Sequence, residues 1–337
     1  MIKKIALFIL PIASMIYAGG EVNVYSHRHY DSDKQLFKMF EEKTGVKVNV
    51  VKAKANELMK RLEKEGKNSP ADLFITADVG RLYLAKEKNL LQKVNSKYLN
   101  ETIPAHLKDK DNQWFGLTKR ARVIVYNKDK VKSSELSTYE DLTTSKWNKR
   151  VLIRKSSNIY NQSLLASFIA SKGEKEAKAW AKGIVNNMAR IPAGSDRDQM
   201  KAVVAGIGDV AIVNTYYVGK LLNSKKKNEV MVGNKMGVFF PNQGANERGT
   251  HINISGIALT NSSKNQDNAI KLIEFLATPK AQSIFAEANY EYPVNPNVAP
   301  SKLLKSWGEF REDSTPLYKF GVYNADAVKI FNEVNWK

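Results

Sequence analysis

The sequence predicts an α/β protein of two lobes, each a mixed, mainly parallel sheet flanked by helices. Three observations predict it. Strand and helix patterns alternate from the amino terminus, the same alternation returns after residue 120, and a chain of 337 residues is long enough for about two domains.

Taken in order, Val22–Tyr25 reads as a short strand, 26–30 as a loop, and Asp31–Lys43 as a helix. Asp31 or Ser32 is available to cap that helix, Leu36, Phe37 and Phe40 give it an apolar stripe, and Gly45 stops it. Val46–Val51 is a second strand, Asn56–Glu65 a helix, and Ala71–Thr76 a buried strand after Pro70. Downstream, Arg122–Tyr126, Val151–Ile153 and Val210–Val213 read as strands, with helices over 162–171, 174–187 and about 198–205. Gln266–Ala288 is helix-rich and is expected to complete the lobes from outside. The Lys225–Lys226–Lys227 run reads as solvated surface.

Composition narrows the chemistry. With 43% hydrophobic and 26% charged residues the balance is that of a globular protein, and the absence of cysteine excludes disulfides, thiolate metal sites and cysteine nucleophiles. The net charge of +19 raises nucleic acid as a partner. Residues 1–18 argue otherwise: Met1–Lys4 is a basic start, Ile5–Ile12 is apolar, and Ser14–Ala18 offers a cleavage site before Gly19, the pattern of a cleaved export signal. An exported protein meets no genome, so no nucleic-acid partner is expected. The Gly206-Ile207-Gly208 string precedes a strand, where a dinucleotide fingerprint would follow one, and so reads as a helix stop and turn. The four histidines form no catalytic pattern, and no enzyme is expected.

Tyrosines stand where open α/β sheets present ligands, at the carboxyl ends of strands. Tyr30 follows the first strand, Tyr160 follows Val151–Ile153, and Tyr216–Tyr217 follow Asp209–Val213. A phenol titrates near 10, so a phenolate ligand requires a highly charged hard cation to displace its proton. Fe(III) suits hard anionic oxygen best; zinc favours thiolate or imidazole, and calcium and magnesium favour carboxylates and carbonyls. Adjacent Tyr216 and Tyr217 cannot face one point from a regular strand, so an irregular turn or a helix start is expected there.

Tyr25-Ser26-His27-Arg28-His29-Tyr30, Ser69-Pro70-Ala71-Asp72-Leu73-Phe74, Arg120–Tyr126 and Asn214-Thr215-Tyr216-Tyr217 resemble the periplasmic ferric-ion-binding proteins of ABC iron transporters, along nearly all the mature chain. The match is to the tyrosine-rich branch of that family. The resemblance implies a class II periplasmic binding protein whose lobes, joined by crossing strands, close over Fe(III), with residues 19–122 plus 252–302 as the amino-terminal lobe and 123–251 plus 303–337 as the carboxyl-terminal one. Carried over by position, Tyr30 and its neighbour His29 would come from the first lobe and Tyr160, Tyr216 and Tyr217 from the second. The family's other branch uses a glutamate where this chain has Ala77 beside Asp78, and an exogenous anion where Tyr160 lies. Arg120, Arg122 and Asn214 match positions near that anion, and would hold carbonate or another small anion or offset negative charge. The implied partners are a ferric ion or chelate and an inner-membrane ABC permease, with the protein periplasmic and monomeric. The competing readings are the same fold with a polyamine, thiamine or anion, and an exported basic protein that binds a polymer.

Overall fold

The structure is a computed structural model that describes residues 19–28 and 30–337; the export signal expected at residues 1–18 and the candidate ligand His29 lie outside the described residues. The chain opens with β1 (Glu21–Ser26), α1 (Asp31–Thr44), β2 (Lys47–Lys52), α2 (Ala55–Glu65), β3 (Leu73–Ala77), α3 (Val79–Glu87) and α4 (Lys97–Thr102), then enters the long strand β4 (Phe115–Asn127). Next come β5 (Val151–Leu152), α5 (Ile159–Lys172), α6 (Glu174–Asn187), α7 (Asp196–Val204), β6 (Val210–Asn214), α8 (Thr215–Leu222), α9 (Lys227–Lys235) and β7 (Met236–Phe239). The return passes through β8 (Ile252–Leu259), α10 (Gln266–Ala277), α11 (Pro279–Asn289) and β9 (Tyr292–Pro293), and ends in α12 (Lys302–Ser306), α13 (Lys319–Val322) and α14 (Asn324–Glu333).

Among the described residues the strands pair in the order β2-β1-β3-β8-β4-β6-β5, with β7 and β9 also on β4. β4 changes partner midway. Its first half, Phe115–Ala121, pairs with β8, and Arg122–Tyr126 pairs with β6. One strand of 13 residues therefore serves two sheets, and helices flank each sheet to give a two-lobed α/β body. The pairings are parallel in β2-β1-β3 and β5-β6, but antiparallel wherever β4 or β8 takes part. A chain that leaves one sheet and later returns beside its own outgoing strand must run antiparallel to it. The sheets are thus mixed, as expected, with the parallel pairings on the flanks.

Local chemistry explains most boundaries. Gly45 ends α1 in the left-handed region (φ 68°), and Gly206 (φ 78°) follows α7 before β6 begins, as a turn rather than a cofactor loop. Pro279 starts α11 behind the Thr278 cap. Lys225, Lys226 and Lys227 are exposed. The capping expected of Asp31 or Ser32 is not what forms: the residue before α1 is Tyr30, in extended backbone and without a side-chain cap bond. Asp31 is instead the first helical residue, exposed near the positive helix end, and the Ser32 hydroxyl donates to Asn289 Oδ1 at 2.8 Å.

Candidate metal centre

Each candidate tyrosine stands at the start of a helix. Tyr30 immediately precedes α1. Tyr160 is the second residue of α5, not in a loop, and its N–H donates to the Asn158 cap at 3.1 Å. Tyr216 and Tyr217 follow Thr215 in the first turn of α8, which begins directly off β6. This is the helix start that adjacent converging tyrosines require, because successive residues diverge by about 100° around a helix, less than the alternation of a strand.

The four phenols come together. The Tyr216 hydroxyl donates to the Tyr160 hydroxyl at 3.1 Å, and the Tyr216 and Tyr217 rings lie 4.3 Å apart between centroids. The Lys220 ammonium sits 4.2 Å from the Tyr30 ring centre and 5.2 Å from that of Tyr216, tying the β1–α1 loop to α8. Burial pushes the phenols of Tyr30 and Tyr216 well above their ordinary value. For Tyr30, Glu291 adds to this, Arg28 opposes it, and Tyr160 and Tyr217 raise it further. For Tyr216 the other three tyrosines add to burial and Arg120 opposes. Burial likewise raises Tyr217, with Tyr160 and Asp196 next.

Cations surround the rings. Arg28 lies 4.9 Å from the Tyr30 centroid, and Arg120, Arg154 and Arg122 lie 5.2, 5.8 and 6.0 Å from that of Tyr160. The guanidinium of Arg120 is held by Asp78 at 3.2 Å. That of Arg122 is held by Asp196 at 3.3 Å, Asn214 Oδ1 at 3.1 Å and Asn161 Oδ1 at 2.6 Å. Arg120 Nη1, Arg122 Nε and Asn214 Nδ2 are buried donors with no protein partner.

Asp78 supplies no carboxylate to this group of oxygens. It accepts from Ser163 at 2.7 Å, Gly80 N–H at 3.0 Å, Asn253 at 3.0 Å and Arg120, and so locks the start of α3 to α5. Among the described residues no cluster of three or more His, Asp or Glu side chains could hold a metal. The tyrosine oxygens are the anionic donors on offer, and the cations around them favour their ionised form.

Sequence reasoning brought Tyr30, Tyr160, Tyr216, Tyr217, Arg120, Arg122 and Asn214 into view, and the structure gathers them. It did not single out Lys220, Arg154 or Glu291, nor Arg28 except as part of a motif. Lys220 carries a signal in hindsight: it is four residues after Tyr216, one helical turn along α8. Glu291 carries none, since it reaches the site from the end of α11.

A two-lobed α/β body with polar donors gathered from elements on both sheets is the architecture of an extracellular solute-binding protein. Residues 35–312 match the bacterial extracellular solute-binding protein family, and the chain belongs to it. It is 48% identical over 327 residues to iron uptake protein A1 of Synechocystis, covering 97% of this chain and 90% of that one. It is 29% identical to the major ferric iron-binding protein of Neisseria meningitidis over 300 residues, 88% of this chain and 87% of that one. Among solved structures it is similar to the Trichodesmium protein (IdiA, FutA) in complex with iron and citrate ligands, with TM-score 0.91, 51% identity, and 94% of this chain and 100% of that chain covered. The Campylobacter jejuni ferric binding protein gives TM-score 0.88 and 52% identity over the same shares. The resemblance read from the tyrosine motifs holds.

Proposed function

We propose that this protein is an exported, periplasmic binding protein that captures Fe(III) between its lobes through tyrosinate oxygens and hands it to an ABC permease. Residues 1–18 are the cleaved signal, residues 19–122 plus 252–302 form one lobe and 123–251 plus 303–337 the other. The observation that carries the reading is the convergence of Tyr30, Tyr160, Tyr216 and Tyr217, with a 3.1 Å hydroxyl contact between two of them, in a shell of five Arg and Lys side chains. His29 is a further candidate ligand beside Tyr30.

Without metal, Tyr30, Tyr216 and Tyr217 hold their protons at neutral pH, since burial raises all three. A ferric ion replaces those protons. Three phenolates neutralise its charge and a fourth leaves an excess of one negative charge, which Arg28, Arg120, Arg122, Arg154 and Lys220 offset. The unpartnered donors Arg120 Nη1, Arg122 Nε and Asn214 Nδ2 favour a small anion near the metal, carbonate or a carboxylate such as the citrate found with the Trichodesmium relative. The cycle is reversible binding by a monomer: open lobes admit the ion and hinge closure completes the ligand set.

Adding a soluble ferric chelate to the metal-free protein tests this. A visible phenolate-to-iron charge-transfer band is expected, and it should be abolished by Tyr216→Phe combined with Tyr217→Phe. No band, or a band indifferent to that double change, overturns the proposal.

A further inference from the structure

The α8 helix that carries Tyr216 and Tyr217 makes a second contact one turn further on. A Cβ at Gly219 would lie 2.5 Å from both Cβ and Cγ of Tyr290 and 2.9 Å from its Cδ2. These are the root atoms of the tyrosine side chain. Rotation about χ1 leaves Cβ where it is, so only movement of one backbone away from the other would make room. Glycine at 219 is therefore required by the approach itself, although glycine is a poor choice inside a helix.

Tyr290 is unusual in its own right. It caps α11 in the left-handed region, φ 58° and ψ 36°, where glycine or asparagine is the ordinary occupant and a bulky side chain is strained. Strain kept at one position points to a use for the side chain found there. Tyr290 belongs with β9, which pairs with the first half of β4, whereas α8 springs from β6 on the second half, so the contact runs from one lobe to the other. The next residue, Glu291, is 1% exposed and lies 3.9 Å from Arg28, whose guanidinium stacks on Tyr30. Residues 290 and 291 thus hold α8 with one side chain and the Tyr30 loop with the next.

We propose that Tyr290 seated on Gly219 is the catch that keeps the lobes closed over bound iron, making Tyr290 a positioning residue that sets the rate of metal release. This rests on the ferric reading above. The catch brings α8 and the Tyr30 loop to a fixed separation without itself touching the metal.

The test uses the mature protein loaded with ferric ion and follows decay of the visible band after excess ethylenediaminetetraacetate is added. Gly219→Ala should release iron about tenfold faster and Tyr290→Gly a few-fold faster, by shifting population from the closed to the open state. The double variant should release at the rate of Tyr290→Gly alone, because glycine at 290 removes the Cβ and Cγ that the added methyl would meet. Band position should be unchanged, and the metal-free Gly219→Ala protein should melt no lower than wild type, since alanine is the better helix former. The catch is overturned by a wild-type release rate in Gly219→Ala, by the same acceleration with and without Tyr290, or by a lowered melting point of the metal-free variant. A wild-type protein that forms no band overturns the ferric reading and this inference with it; a band with equal release rates in all variants overturns the catch alone.

Discussion

The hydroxyl of Tyr216 donates to the hydroxyl of Tyr160 across 3.1 Å, joining the first turns of α8 and α5. Two neutral phenols hydrogen-bond readily at that distance, while two bare phenolates would repel. The contact is stable with protons present and calls for a cation once they leave. On the ferric reading proposed above, this is the geometry of a site poised between protonated and metal-bound states.

Replacing either member by phenylalanine removes one anionic donor and leaves ring packing in place. Changes beyond the direct ligands typically cost 10- to 100-fold in metal affinity, so Tyr216→Phe and Tyr160→Phe should each lose more than about 100-fold. The lost hydroxyl contact should cost the metal-free fold only about 1 kcal/mol. Competition titration against a chelator of known strength gives the first quantity and denaturant unfolding the second. Near-wild-type affinity in both variants would mean that neither phenol is a ligand.

Lys220 lies over the rings of Tyr30 and Tyr216 at 4.2 and 5.2 Å and offers its charge to both. Burial lowers its own pKa, so that charge is held at some cost and has most to gain when the phenols ionise. Lys220→Met should weaken ferric affinity about tenfold, the equivalent of about one pKa unit spread over the phenols beneath it. It should also lower the fraction of metal bound at pH 6 more than at pH 8. Unchanged affinity at both pH values would assign the ammonium to packing alone.

How far the sequence discloses all this depends on whether a feature is local. Tyr216 and Tyr217 are readable because two adjacent tyrosines can face one point only from an irregular turn or a helix start, and α8 begins there. The first half of β4 is not readable. Lys119 and Arg120 interrupt its apolar pattern, and their partners Glu312 and Asp78 stand far away in sequence. Ser32 misleads for the same reason: by itself it reads as a helix cap, but Asn289, 257 residues on, claims its hydroxyl. Glu291 was silent because only the return of the chain through α11 sets it beside Arg28.

His251 predicts an acid sensitivity unrelated to metal. Its ring is buried against Phe320 at 4.8 Å, and burial, with Arg248, Arg122 and Arg120 adding to it, lowers its pKa well below the ordinary value. Unfolded, a histidine titrates near 6.5, so the unfolded chain takes up the proton first. The stability this neutral ring contributes is fully present above about pH 6.5 and is lost as pH falls below it, by at most about 1.4 kcal/mol per pH unit. Denaturant unfolding of the metal-free protein at pH 7.5 and 5.5 should show the loss, and His251→Leu should flatten it. A variant as acid-sensitive as wild type would assign the loss to other groups.

The affinity for ferric ion should itself depend on pH, in the same direction but over a different range. Tyr30, Tyr216 and Tyr217 all titrate above 10 in the metal-free fold, so each is protonated throughout pH 6.5–8.5 and each must lose a proton to ligate. Every proton released on binding steepens the dependence by about one decade of affinity per pH unit. Ligation by these three phenols therefore predicts a rise of about three decades per unit, once the protonation of the competing chelator and hydrolysis of the ion are accounted for. The folded-state His251 stays neutral across this range and the unfolded chain's is largely neutral above about pH 7.5, which separates this slope from the acid loss of stability. Tyr217→Phe should reduce the slope by about one. A slope near zero would show that the phenols keep their protons in the complex, and the tyrosinate reading would fall.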